Sequence, residues 1–431
     1  MTNHYESQPL IGSECRECNA QPIGEPHSRQ TISLTVVLKR RQPISKDADG
    51  GRTQHLTHRM LEKKYGLSRD TMKSLRQFAQ SNSLRVKNID REQCTAKLIG
   101  TVKSVEKAFE VRLRTVLKDN RIFMVHDGPI SVPKTLAAEI LGVFGLNTLD
   151  TAIPHIGSGA GSKLPDPGLE PAQHYSALQG DAGGQVIGLI QTGGRLNLAD
   201  IEEYFASLRM PAPIIRKVMI DGALEYSSAT AEATTNVTLD IEVAGAVARG
   251  VTLVVYFAPN TDKGFLHALL RAVHDKVNKP AVILIGWSTL ETGRSDQFIR
   301  SKDQILQAAS GLGIAVVAAE STMDQTHNAG APQFQILLNS EWVSVDQTIC
   351  EAPICAGLLA TINKRQGRSQ EAFRIWKELQ SQAIIPGTSV ASGITASTNP
   401  RALLNLLQKV VDSSGAPQSP TASAPPATID R

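Results

Sequence analysis

The sequence predicts an α/β protein of two folded units, a ferredoxin-like α+β module followed by a doubly wound parallel sheet. Over residues 29–150, strand and helix patterns alternate in the order β-α-β-β-α-β, which is typical of a ferredoxin-like module. From residue 184 onwards, apolar β-branched strands alternate with helices, which is typical of a parallel sheet covered on both faces. The Gly-, Pro- and Ser-rich residues 151–178 between them are predicted to form an exposed linker.

The elements of the first unit follow from apolar periodicity and from helix-capping residues. TISLTVVLKRR (31–41) has the composition of a strand. Two helices follow, for which Thr57 and Ser68 are the predicted N-caps, and two short strands are predicted around a turn near Asp90. Ser104 is the predicted cap of the next helix. The remaining predicted elements are strands in RTVLKD and RIFMVHD and a short helix in KTLAAEILGVFGL (134–146).

The second unit, residues 179–412, is predicted from alternating buried strands and amphipathic helices. Asn197 is the predicted cap of its first helix. The strands are GQVIGLIQTGG, VTLVVYFAP, PAVILIGW and IAVVAAE, and the helices are NLADIEEYFASL, VTLDIEVAGAVA, DKGFLHALLRAVHDK, SKDQILQAASGLG and APICAGLLATINKRQG. Residues 1–28 and 413–431 are polar and of low complexity, so both ends are predicted to be disordered.

Composition and charge limit the classes of partner. The 431 residues are 41% hydrophobic and 20% charged, with no apolar run of the roughly 18 residues that span a membrane and no secretory signal pattern at the start. We expect a cytoplasmic protein without membrane contact.

The charges are distributed unevenly along the chain. Residues 29–121 carry 22 basic and 9 acidic side chains, a net charge of +13, and the rest of the chain carries 23 basic and 32 acidic side chains, a net charge of −9. Because few aromatic residues accompany the basic ones, this asymmetry favours docking of the first unit on the second over nucleic-acid binding.

The spacing of potential metal ligands gives no clear metal or cofactor site. Cys15 and Cys18 have metal or redox spacing, but no second Cys or His pair follows, and the odd total of five cysteines argues against a disulfide framework. His267 and His274 are seven residues apart on one predicted helix, which is too far for one ion. The glycines of QTGGR (191–195) could bind an anion, but the full dinucleotide-binding spacing is absent. No cofactor and no metal are expected.

Many of these segments, in this order, resemble the sedolisin (kumamolisin-like) serine-carboxyl peptidases. The resemblance covers about residues 30–150 and 175–325 well and 345–365 weakly. It implies a pro-kumamolisin-like activation domain followed by a subtilisin-like catalytic domain, truncated here. The similar segments include LTHRMLEKKYGLSRDTMKSLRQFAQSNSLRV, GPISVPKTLAAEILGVFGL, IGLIQTGGRLNLADIEEYFASL, LDIEVAGAVARGVTLVVYFAPNTDKGF and VILIGW.

The resemblance puts the catalytic positions of that family on residues that cannot perform its chemistry. The family uses a Glu-x-x-x-Asp helix to activate a serine, since a hydroxyl is a weak nucleophile until a base takes its proton. Here Asn236 stands at the Glu position and Asp240 at the Asp position. The serine position, in QTICEAP, falls on Ile349, which has no nucleophilic atom. The resemblance therefore implies that Asp240 is the remnant of a catalytic pair.

Other positions of the family's site also differ. The oxyanion-stabilising Asp falls on Thr322, with Asp324 as a stand-in if the alignment slips. Gln191 replaces a supporting Glu, and Trp287 matches a cleft tryptophan, so these two are expected to line a binding groove. Only about 25 residues separate Thr322 from Ile349, which implies a smaller sheet and cleft than the family has. The Asp-Ile pair of the family's calcium loop is missing, so no calcium is expected.

These substitutions predict a catalytically inactive peptidase relative that binds a peptide or protein ligand. One alternative is an enzyme that uses the old cleft on a peptide or biosynthetic intermediate, with Asp240, Asp324 or Cys350 in new roles; another is residual serine-type endopeptidase activity. A buried Cys usually acts as a small hydrophobe, which weakens Cys350 as a nucleophile. A polar cluster converging on Asp240 would favour an enzyme. A carboxyl facing only Asn236, Gln191 and apolar side chains would favour binding.

Overall fold

The computed structural model describes most of both predicted units. The described residues are 6–14, 20–44, 55–150, 153–154, 179–223, 231–288, 294–318 and 333–366. Among these residues, no helix is both long enough and apolar enough to cross a membrane.

The strands and helices are numbered in chain order. The strands are β1 (Ser7–Pro9), β2 (Gln21–Gly24), β3 (Thr31–Leu38), β4 (Arg85–Asp90), β5 (Thr95–Thr101), β6 (Arg112–Lys118), β7 (Arg121–Asp127), β8 (Ser131–Pro133), β9 (Ile140–Phe144), β10 (Ile153–Pro154), β11 (Gly180–Asp181), β12 (Val186–Gln191), β13 (Ile214–Met219), β14 (Ala248–Arg249), β15 (Thr252–Phe257), β16 (Val282–Ile285), β17 (Trp287–Ser288), β18 (Ala315–Ala318), β19 (Gln333–Leu338) and β20 (Glu341–Asp346). The helices are α1 (His58–Met60), which continues as a π-helical turn (Leu61–Tyr65), α2 (Arg69–Ser81), α3 (Val102–Phe109), α4 (Lys134–Ala137), α5 (Leu198–Ser207), α6 (Ala231–Val247), α7 (Asp262–Val273), α8 (Asp296–Leu312) and α9 (Gln347–Gln366).

The first unit is an antiparallel sheet in the order β4-β5-β3-β9, crossed by α2 and α3. This is the strand order of a ferredoxin-like module, so that part of the predicted fold class is confirmed. The predicted caps Thr57 and Ser68 each accept a hydrogen bond from the first turn of their helix. The cap of α3 is Thr101 and not Ser104; Ser104 supplies the N–H that the Thr101 side chain accepts.

Two predictions for the first unit differ from the structure. Within 134–146, predicted as a helix, only four residues are helical, and ILGVF forms β9, because its apolar backbone pairs with β3 at the edge of the sheet. The leader 1–28, predicted to be disordered, contains β1 and β2 in its described parts, and these strands pair with β8 and β6. Such short polar strands have no sequence signature of their own, since they depend on partners far along the chain.

The second unit is a parallel five-stranded sheet in the order β13-β15-β12-β16-β18. Helices α5, α6 and α9 share one apolar core with one face of the sheet, and α7 and α8 share another with the opposite face. Asn197 caps α5 as predicted. Helices on both faces of a parallel sheet make a doubly wound α/β unit, so the predicted doubly wound parallel sheet is confirmed.

A hairpin that was not predicted, β19–β20, adds to the core on the α6 side. Its turn residues Asn339 and Ser340 both have left-handed backbone angles, with φ of 50° and 60°, as a two-residue hairpin turn needs. The buried carboxylate of Asp200 on α5 accepts both turn N–H groups, from Asn339 at 2.6 Å and from Ser340 at 3.1 Å. The hairpin is thereby fixed to the helix layer.

The two units share an apolar core. Val37, Leu141 and Phe144 of the first unit belong to one buried cluster with Phe265 and Phe298 of the second. Strand β9 packs on α8, so the ferredoxin-like sheet lies on the α7–α8 side of the parallel sheet.

Side-chain amides of α8 hydrogen-bond the backbone of the first unit. Gln304 accepts from Arg40 N and donates to Leu38 O, both at 2.9 Å. Gln297 accepts from Val143 N at 3.0 Å. These bonds satisfy buried backbone groups at the ends of β3 and β9, which otherwise would lack partners.

In the ion pairs between the units, each unit supplies the acidic residue of one pair and the basic residue of another. Glu92 of the first unit pairs with Lys276 of the second at 2.7 Å, whereas Lys97 of the first pairs with Asp221 of the second at 3.8 Å. The opposite net charges of the two units therefore do not determine the sign of each contact.

Candidate functional site

The candidate site lies where two central strands of the parallel sheet end. Gln191 is the last residue of β12, and Gly286 directly follows the neighbouring strand β16. Asn236 and Asp240 are one helical turn apart on α6 and share a face. Because the carboxyl ends of parallel strands meet at one edge of a sheet, three separate segments converge there.

The Asp240 carboxyl is enclosed by two amides and by backbone. Gln191 Nε2 donates to Asp240 Oδ2 at 2.7 Å, and Asn236 Nδ2 donates to the same oxygen at 3.4 Å. All three residues are at most 1% exposed. A Cβ placed on Gly286 would lie 1.9 Å from Asp240 Oδ2, so only glycine leaves room for the carboxyl here.

Burial makes Asp240 an unusually weak acid. Loss of hydration raises its pKa from 3.8 to about 8, and the opposing effect of the Gln191 hydrogen bond is smaller. The carboxyl is therefore neutral over most of the range below pH 8. While it is protonated, the carboxyl cannot take a proton from a nucleophile, and its two hydrogen-bonding neighbours, both amides, cannot do so in its place.

A second buried carboxyl, Glu242, stands two residues further along α6. Its Oε2 accepts from Leu337 N of β19 at 2.9 Å, while its Oε1 is buried and has no hydrogen-bond partner in the part of the chain that the structure describes. Burial raises its pKa well above the ordinary value, and the nearby Asp200 adds to the rise. Glu242 holds the hairpin to α6, and we assign it a structural role.

The segment between the two units runs beside this site. β10 pairs antiparallel with β17, with Ile153 opposite Ser288 and Pro154 opposite Trp287. β17 follows Gly286 directly, and β10 also contacts α6. Part of the chain that joins the units therefore lies as an extended strand on β17, the segment that follows Gly286.

The other predicted site residues are only partly described. Ile349 and Cys350 fall in the first turn of α9; Cys350 is fully buried in the apolar core, and the side chain of Ile349 lies outside the described residues. Trp287 lies on β17, and its side chain is also outside them. Thr322 and Asp324 lie wholly outside the described residues. The structure thus brings together Gln191, Asn236 and Asp240.

Two residues of the site, Gly286 and Thr192, were not predicted from the sequence. Gly286 carried a weak signal, since a glycine ending an apolar strand often marks a close approach of another group. Thr192, directly after Gln191, is buried, and none of the described residues hydrogen-bonds its hydroxyl. No sequence signal marks that hydroxyl, because its surroundings depend on how the glycine turn packs: a Cβ on Gly194 would lie 2.5 Å from Ala233 O of α6.

Comparisons with known proteins agree with the resemblance found in the sequence. Residues 19–149 match the family model of the Pro-kumamolisin activation domain. Kumamolisin from Bacillus sp. (strain MN-32) is 34% identical over 345 residues, which are 74% of this chain and 62% of kumamolisin. The chain is a relative of the sedolisin-type peptidases. Tripeptidyl-peptidase sed5 of Aspergillus fumigatus is 23% identical over 331 residues, so the chain spans 62% and 56% of the lengths of these curated relatives.

Solved structures of peptidases are also similar to this sedolisin-like chain. Pseudomonas sedolisin complexed with two molecules of pseudo-iodotyrostatin is 15% identical and covers 56% of this chain and 91% of its own, with a TM-score of 0.37. The epidermin leader peptide processing serine protease of Staphylococcus aureus is 11% identical and covers 85% of this chain and 94% of its own, with a TM-score of 0.43. At such identities, the chemistry of this sedolisin-like chain is judged from its own residues.

Proposed function

We propose that this chain is a catalytically inactive relative of the sedolisin peptidases that binds an extended peptide or protein segment. The observation that carries the proposal is the enclosure of Asp240 by Gln191 and Asn236. In the family's site this carboxylate works beside a glutamate, but here both neighbours are amides. Together with isoleucine at the serine position, this arrangement supports a site without a base or a nucleophile.

The pairing of β10 with β17 supports a peptide as the ligand. An extended segment that adds to a short exposed strand uses backbone hydrogen bonds, which any peptide can supply. Here that position is occupied by an apolar residue and a proline of the chain itself, Ile153 and Pro154. We infer that β17 accepts an external segment of similar character when the chain's own segment is released.

One observation favours the alternative of a repurposed enzyme. A carboxyl whose pKa is about 8 can act as an acid or base near neutral pH, as Asp240 would if a substrate reached it. Against this, Asp240 is 1% exposed and in contact with the backbone of Gly286. Binding is therefore the function that the geometry supports better.

A peptide with the sequence of residues 149–158, LDTAIPHIGS, tests the binding proposal. We expect a fluorescent form of it to bind a full-length Ile153→Gly/Pro154→Gly variant with a saturable anisotropy change, because this variant weakens pairing of the internal segment. The wild-type chain should bind it more weakly, since its own strand occupies the position. A scrambled peptide is the matched control. Equal signals from both peptides, or tighter binding to the wild-type chain, would contradict the proposal.

A further inference from the structure

A cluster of two histidines and one glutamate lies between the two units, away from Asp240. Glu92, in the turn between β4 and β5, brings its Oε1 within 2.5 Å of His58 Nδ1 and 2.8 Å of His274 Nδ1. His58 begins α1 of the first unit, and His274 is the C-cap that follows α7 of the second. These three residues are the interface histidine cluster.

We propose that the interface histidine cluster is a binding site for a divalent transition-metal ion, with zinc as the preferred ion. Each residue offers one ligand atom, and the three atoms lie within 4.8 Å of one another. Ligands about 2.1 Å from a tetrahedral zinc ion stand about 3.4 Å apart, so small side-chain movements bring the three atoms to that spacing.

The donor types select the metal. Imidazole nitrogen suits zinc, copper, iron and nickel, whereas calcium takes six to eight oxygen ligands, which this cluster does not offer. Two histidines and one carboxylate are a ligand set that zinc uses with a fourth position left for water.

The surroundings of His274 point independently to a ligand. Its side chain is only 3% exposed, and its Nε2 atom is buried without a hydrogen-bond partner among the described residues. An unpaired buried polar atom costs free energy, and an ion held by Nε2 would offset that cost. His58 is more open, with 30% of its side chain exposed, so an ion has a path to the cluster from solvent.

Nearby positive charges weaken the binding of a cation at the cluster, and removing one of them tests the proposal. Lys276 Nζ lies 2.7 Å from Glu92 Oε2, and the Arg40 guanidinium donates to the backbone carbonyl of Glu92 at 3.1 Å. Lys276 has 60% of its side chain exposed, so it can turn into solvent and leave the carboxylate to the ion. Removing its charge should therefore strengthen metal binding.

Because the ligands come from both units, the bound ion would fasten the first unit to the second. An ion that binds only the assembled arrangement stabilises it by RT ln(1 + c/Kd), where c is the concentration of free ion and Kd its dissociation constant. The proposed metal site is separate from the proposed peptide-binding position at β17 and does not depend on it.

The test is calorimetric titration of zinc chloride into the full-length chain, purified without a histidine tag and freed of metal. A Cys15→Ser/Cys18→Ser background removes the Cys-x-x-Cys pair, which could bind zinc separately. We expect one ion per chain, at least about 100-fold weaker binding for His274→Ala and Glu92→Gln, and tighter binding for Lys276→Gln. His27→Ala, a change at an exposed histidine outside the cluster, is the matched control and should leave the affinity unchanged.

Cobalt(II) supplies a second measurement that does not depend on the buried variants folding. We expect the visible absorption bands of four-coordinate cobalt in the parent chain and their loss in His58→Ala, which changes the more exposed ligand. The proposal is overturned if the parent binds no stoichiometric ion. It is also overturned if His58→Ala binds zinc and cobalt as the parent does.

Discussion

Replacing Asp240 with asparagine is expected to raise the free energy of unfolding at pH 8 and to leave it nearly unchanged at pH 4. Burial raises the pKa of Asp240 in the folded chain from 3.8 to about 8. Between these values the unfolded chain loses the proton and the folded chain keeps it, so wild-type stability falls as pH rises, by up to about 1.4 kcal/mol per pH unit. The introduced asparagine side chain would carry no charge, and its Oδ1 can still accept from Gln191.

Urea denaturation at pH 4, 6 and 8 measures this difference. The curves of wild type and Asp240→Asn should diverge steadily as pH rises, with the variant the more stable at pH 8. Glu242→Gln is a useful control, because burial also raises the pKa of that carboxyl and the same divergence should appear there. Parallel pH profiles for wild type and Asp240→Asn would show that the Asp240 carboxyl is hydrated, contrary to the enclosed geometry.

The second large effect is expected for Gly286→Ala. The added Cβ would stand 1.9 Å from Asp240 Oδ2 and 2.6 Å from Cγ, far closer than non-bonded atoms approach. Since Gly286 and Asp240 are both buried, either α6 or the end of β16 must move. Overpacking of this kind lowers the free energy of unfolding by about 1–3 kcal/mol. Thermal and urea unfolding of the full-length variant should show the loss.

A double-mutant cycle identifies the cause of that loss. In an Asp240→Ala background the carboxyl is gone, so Gly286→Ala should cost much less than it does in wild type. Equal costs in both backgrounds would mean that the glycine is required for its backbone and not for the approach of Asp240.

The positions of the residues around Asp240 could be predicted from the sequence because these residues lie on regular elements. Asn236 and Asp240 share a helix face by spacing alone, and Gln191 ends a strand that is apolar throughout. The wrong prediction in 134–146 arose because a short apolar run of a buried strand looks like part of a helix until its pairing partner, β3, is known. The local sequence pattern thus predicted most of the helices and strands, but it did not predict β9 at the edge of the sheet.

The interface histidine cluster could not be predicted for a different reason. His58 and Glu92 are 34 residues apart, and His274 is 182 residues from Glu92. Metal-ligand spacing along a helix or in a Cys-x-x-Cys motif detects only sites made within one element. Sites between units arise from packing, and no short motif records them.

The most direct test of the central claim, that the old catalytic site is inactive, is a cleavage assay with a complex peptide library from pH 3 to 8. Wild type and Asp240→Ala would be incubated in parallel and the products identified by mass spectrometry, with active kumamolisin as the positive control. The enclosure of Asp240 predicts no cleavage by either chain at any pH. Cleavage by the wild type that disappears in Asp240→Ala would show that Asp240 takes part in catalysis and would contradict the proposed function.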